Sequence, residues 1–141
     1  MQLNEFIDLV EVKRENHPRS RVKEVVRVVL AALGERLYRT PRKALAAQLP
    51  GELEKMLEAE VDGEAERMDT PQYPLEEYYQ RVAARADLSY DEAVSWSRDV
   101  VSVLEKAVTS PVIEEAAGAL PDSYRELFGQ PPESPASPRV S

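Results

Sequence analysis

The chain carries one histidine, His17, set between Asn16 and Pro18. A lone imidazole works as a general base only where a second group orients it, and its neighbours offer none. It reads as a surface residue in a connector. No Glu-x-x-His spacing occurs, so helix-borne transition-metal chemistry lacks its ligands. The absence of cysteine removes disulfides, Cys-based zinc sites, iron–sulfur clusters and a thiol nucleophile. The glycines stand singly, at Gly34, Gly51, Gly63, Gly118 and Gly129, so no phosphate-cradling loop forms. Serines are present, but a triad is defined by geometry and not by neighbourhood in the chain. The expectation is no catalytic residue and no cofactor, leaning away from an enzyme.

Two charged stretches carry more information. Glu58, Glu60, Asp62, Gly63, Glu64, Glu66 and Asp69 fall at positions 1, 3, 5, 6, 7, 9 and 12 of a calcium loop. The first position wants a shorter acid and the last a bidentate glutamate, so a solvated acidic linker is the better reading. Arg19, Arg21, Lys23, Arg27, Arg36, Arg39, Arg42 and Lys43 form a basic end. Residues 1–43 hold ten Lys/Arg against six Asp/Glu, and residues 44–141 hold eight against twenty. The basic end is thus a candidate interaction surface, a solvated face, or a partner for the acidic remainder. A net charge of −8 disfavours general nucleic-acid binding, which needs cations to neutralise phosphate. The connector is also longer than a helix-turn-helix turn.

The elements that must position these residues are helical. Leu3, Phe6, Ile7 and Val10 keep one helix face to about Lys13. Val22, Val25, Val26, Val29, Leu30, Leu33 and Leu37 hold the same rule over four turns, predicting a long helix from about Arg19 to Tyr38. Thr40-Pro41 reads as a capped start, with threonine as cap and proline at the first helical position. Leu49-Pro50 opens a further helix carrying Leu53, Met56 and Leu57. After an acidic linker at 58–73 the series recurs. Leu75, Tyr78, Tyr79 and Val82 lead it, and Ser89 with Glu92 makes a capping box. Ala93, Trp96, Val100, Val101, Leu104 and Val108 carry the second long stripe. Ser110-Pro111 and Leu120-Pro121 echo the earlier steps, and the aromatic residues at 78, 79, 96 and 124 read as core. The Pro/Ser-rich tail, 130–141, has too little apolar mass to fold.

At an offset of 71, Val22, Val25, Val29, Leu30 and Leu33 fall on Ala93, Trp96, Val100, Val101 and Leu104, and Leu49-Pro50 falls on Leu120-Pro121. This register predicts two tandem four-helix units, 1–57 and 74–129. A unit of that size buries only about 60% of its unfolded surface, so the two are expected to share one core. The fold class is all-α: a compact bundle of about eight helices with an approximate internal two-fold. The first unit, with Phe6 and Val10, Glu35-Arg36-Leu37, and Leu45-Ala46-Ala47-Gln48-Leu49-Pro50, resembles the prokaryotic family called domain of unknown function 2267. The resemblance covers about residues 3–128 and implies an all-helical protein without an assigned activity. The second unit departs from the pattern at Glu105-Lys106-Ala107-Val108, so any role of Arg36 or Gln48 belongs to the first.

No run approaches the ~20 apolar residues that span a bilayer, and Glu5 and Asp8 interrupt the start of the chain against a secretory leader. A cytoplasmic protein without membrane association is expected, as monomer or homodimer. The leading expectation is a non-enzymatic protein–protein interaction or scaffold module with a protein partner. The alternatives are a nucleic-acid-associated regulator using the basic end and an enzyme holding a metal between carboxylates.

Overall fold

Valine-rich stripes with apolar residues three and four apart pack as helices because burial outweighs the slightly lower helix propensity of β-branched side chains. In a computed structural model, which describes residues 1–59 and 74–129, seven α-helices and one 3₁₀ turn form and no strand occurs among those residues. In chain order they are α1 (Leu3–Lys13), α2 (Arg19–Arg36), α3 (Arg39–Ala47), α4 (Gly51–Leu57), α5 (Leu75–Ala86), α6 (Tyr90–Ala107), α7 (Ser110–Gly118) and a closing 3₁₀ turn (Asp122–Glu126). The protein is all-helical.

α1 rests on both α2 and α6, and α5 rests on both α6 and α2. α3 packs on α7, while α4 lies against α2 and α3. One contiguous core results, drawing on Phe6, Val29 and Leu33 from the front and on Tyr78, Trp96 and Leu104 from the back. Side chains of this size contribute about 1.5–3 kcal/mol each when fully buried. Polar joints cross the same seam. The Tyr78 hydroxyl donates to the Val29 carbonyl at 2.9 Å, deep in the core. Arg21 donates to the Ala86 carbonyl at 2.6 Å and Arg14 pairs with Asp99 at 3.2 Å.

The helix ends have identifiable causes. α6 starts on the Ser89–Glu92 capping box, with Glu92 N–H donating to Ser89 Oγ at 3.1 Å and Ser89 N–H to Glu92 Oε1 at 2.9 Å. α5 ends at Asp87, whose φ of 58° is left-handed, a conformation that aspartate tolerates better than most residues. The Thr40-Pro41 expectation needs correction. α3 begins two residues earlier, at Arg39, with Tyr38 as cap, and Arg42 N–H donates to the Tyr38 carbonyl at 3.0 Å. Pro41 is accommodated in the first turn, where its missing N–H has no intrahelical acceptor. α2 likewise stops at Arg36, short of Tyr38.

Gly34 permits the tightest contact. A Cβ there would lie 1.8 Å from the Leu57 carbonyl oxygen, so α2 and the end of α4 touch backbone to backbone. The residue 71 positions on is Glu105. The closing segment forms a 3₁₀ turn, and openings of 290 and 230 Å³ lie beside Glu105 and Phe128.

Candidate binding cleft on the α5–α6 face

The basic residues singled out in the sequence scatter into different roles. Arg19 is exposed and bound to its own half: its guanidinium reaches Asp8 and Glu11, both at 2.8 Å, and the Asp8 hydrogen bond leads the effects that hold it protonated. Arg21 pairs with Glu24 at 3.1 Å beside its contact to Ala86. Arg42 is fully buried. It donates to Glu58 at 3.0 Å and to the Leu37 carbonyl at 3.3 Å, while Lys43 takes the other Glu58 oxygen at 2.9 Å. Burial alone would raise the Glu58 pKa, but Lys43 and Arg42 together bring it below the ordinary carboxylate value. Arg36, at 4% exposure, is also inside. Neither Arg36 nor Arg42 therefore contributes to a solvent face. Lys23, Arg27 and Arg39 are exposed.

The family-like residues act as joints. Glu35 binds Arg85 of α5, and Leu37 is core. Gln48 holds the start of α7: its Oε1 accepts from the Thr109 N–H at 2.8 Å, and its Nε2 donates to Thr109 Oγ1 at 3.1 Å. His17 is exposed and packs edge-on to Trp96, with ring centroids 5.1 Å apart, while the Arg14 guanidinium covers the same indole at 4.5 Å. Of the calcium-loop pattern only Glu58 is among the described residues, and it is committed to Arg42 and Lys43; Glu60 to Asp69 lie outside them, as does the tail from residue 130. Among the described residues no group of three His, Cys, Asp or Glu is placed to hold a metal ion.

The concavity that combines polar groups with aromatic surface lies elsewhere. A cleft of 480 Å³ opens over α5, α6 and the closing turn, within the size range of ligand sites. Tyr79 forms part of its wall and Tyr90 stands at its rim, edge to face at 5.9 Å. Asp91, Arg98, Asp99 and Glu126 supply its charges. Arg98 pairs with Glu126, and Asp99 faces Arg14, which also contacts Ser95. Asp91 is exposed.

Two features separate this cleft from an ordinary surface dent. Tyr79 is 3% exposed, and its hydroxyl makes no hydrogen bond of full geometry among the described residues, with only the Arg98 guanidinium close beside it. Burial pushes the phenol pKa up, and the nearby Arg98 opposes that only in part. Tyr90, 42% exposed, is one of few large apolar side chains on the surface. Its phenol pKa is raised first by desolvation and then by Glu76, Glu126 and Asp91. These residues were not nominated from the sequence. A signal was there: at the offset of 71, Lys23 faces Val94, Val28 faces Asp99 and Lys55 faces Glu126, so matched faces differ in charge.

A family model described as "Uncharacterized conserved protein (DUF2267)" matches residues 3–127. The chain belongs to this family. Nearly every joint described above lies within the stretch matched to DUF2267, from Leu3 in α1 to Leu127 after the closing turn. No curated protein matches the chain. Among the described residues no helix is long and apolar enough to cross a membrane.

Proposed function

We propose that this DUF2267 protein is a non-enzymatic protein–protein interaction module, built from two tandem copies of one helical unit, and that the α5–α6 cleft receives a cationic segment of its partner. The under-satisfied Tyr79 hydroxyl, which makes no hydrogen bond of full geometry among the described residues, carries this reading. A buried phenol short of a good partner costs stability, up to about 1–3 kcal/mol, and a ligand that accepts or donates there recovers it. The chemistry of the rim selects the ligand. Tyr90 offers an aromatic face under the influence of the Glu76, Asp91 and Glu126 carboxylates; Arg98, the cation of the cleft, is taken up by Glu126 and leaves Asp91 without a partner among the described residues. An ammonium or guanidinium gains from both; a phosphate is repelled. Tandem copies are supported by the element bounds, since α2 and α6 begin and end 71 residues apart, and so do α3 and α7.

Titration with a capped arginine peptide at low salt, followed by tyrosine NMR signals, tests the reading. The Tyr79 and Tyr90 resonances should shift, and a matched glutamate peptide should leave them unmoved. Tyr79→Phe should weaken peptide binding roughly five- to tenfold while leaving thermal stability equal or higher, because it removes an unsatisfied buried group. Absence of any arginine-dependent shift rejects the cleft as a cation site.

A further inference from the structure

We infer that the cationic segment is the α2 face of a second copy of this chain, so that the protein self-associates head to tail. The inference rests on the cleft reading above and goes one step further by naming the occupant. Charge complementarity between matched faces supports it. α2 and α6 share their length and their place in the 71-residue register. Where α6 and the closing turn present Tyr90, Asp91, Val94 and Glu126, the corresponding positions of α2 and α4 hold Arg19, Ser20, Lys23 and Lys55. Lys23 and Arg27 are exposed and one helical turn apart on one face, and neither makes a hydrogen bond or ion pair among the described residues. The cleft side offers Asp91, likewise exposed and unpaired among the described residues, on the wall beside Tyr90. Donor face and acceptor cleft are different surfaces, so the contact is heterologous: it propagates or closes a ring and does not form an isologous pair.

Sedimentation velocity on the full chain, from micromolar to millimolar concentration, tests this. The weight-average mass should rise with concentration at low salt and fall back toward the monomer at high salt. Lys23→Gln with Arg27→Gln neutralises the donor face, and Asp91→Lys reverses the cleft charge, so the two altered surfaces do not attract each other; these residues are exposed, and circular dichroism verifies that each variant folds. Each variant alone should associate at least tenfold more weakly. An equimolar mixture should form a heterodimer and stop there, because one variant keeps an intact cleft and the other an intact donor face. Self-association that survives in either variant, or a mixture that stays monomeric, overturns the inference. A wild-type chain that stays monomeric while its cleft still binds the arginine peptide overturns the self-association alone. If peptide binding fails as well, the cleft reading falls with it.

Discussion

Gly34→Ala sets two known effects against each other, and the structure decides the sign. In a helix interior, alanine is favoured over glycine by about 1 kcal/mol. On propensity alone the variant should be more stable. The added Cβ, however, would lie 1.8 Å from the Leu57 carbonyl oxygen and 3.0 Å from its carbonyl carbon. An aliphatic carbon approaches such an oxygen to about 3.3 Å, so the end of α4 must retreat by the difference, about 1.5 Å. The obstacle is backbone, which cannot swing aside as a side-chain tip can. A retreat of that size forfeits most of the dispersion contact across the seam, loosens Leu53 and Leu57, and strains the Glu58 contacts to Arg42 and Lys43. Overpacking of this kind costs up to about 3 kcal/mol. Net of propensity, the variant should lose about 2 kcal/mol, or roughly 6–8 °C in Tm for a chain of this size.

Two glycines serve as controls. A Cβ at Gly51 or Gly118 meets nothing within 4 Å. Alanine at Gly118, the last residue of α7, should be neutral or stabilising by up to about 1 kcal/mol. Scanning calorimetry on the three variants measures all of this at once. A Gly34→Ala protein as stable as the parent, or more so, would refute the backbone contact between α2 and α4.

Burial raises the Glu105 pKa above its ordinary 4.5. The folded state therefore holds that proton more tightly than the unfolded chain, and the resulting stability is present below pH 4.5 and lost as pH climbs through the raised value. Glu105→Gln should be more stable than the parent at neutral pH, with the difference vanishing in acid by thermal melts across pH. Glu58 has the opposite sign. Its lowered pKa means that stability is lost as pH falls through the folded value. Glu58→Ala takes one carboxylate from the buried Arg42, which keeps its bond to the Leu37 carbonyl, and should cost about 2 kcal/mol in urea unfolding at neutral pH, less than a fully buried broken pair because Glu58 is partly exposed. Tyr78→Phe removes the buried hydroxyl bond to the Val29 carbonyl and should cost about 1 kcal/mol by the same assay.

What the sequence exposed and what it hid divide along the range of the interactions. Apolar spacing is local, and α1 runs over the residues that Leu3, Phe6, Ile7 and Val10 define. The Ser89–Glu92 box is local too, and α6 begins where it says. Thr40 misled because the cap at Tyr38 is made by backbone, with no side-chain signature. Arg42 reads as a surface cation until Glu58, sixteen residues on, is seen to meet it in the interior. The cleft draws on α5, α6 and the closing turn, from Tyr79 to Glu126, and no window along the chain contains it. Only the 71-residue register brings its charges into view, as differences between matched positions.

Gly34 and Glu105 show how one arrangement can support two different surfaces. On the Gly34 side, α4 closes backbone to backbone on α2, and nearby charge is spent internally, on Arg42, Lys43 and Glu58. On the Glu105 side a carboxylate occupies the matched place, the closing segment is a 3₁₀ turn, and the space it leaves is bordered by Arg98 and Glu126, the same pair that lines the cleft. An opening therefore lies where the closing turn ends, next to the cleft. Substitutions that close the Glu105 side should raise stability and, by moving Glu126, weaken binding at the cleft. Where stability and binding shift in opposite directions on that side, and together on the Gly34 side, the asymmetry belongs to recognition rather than to folding.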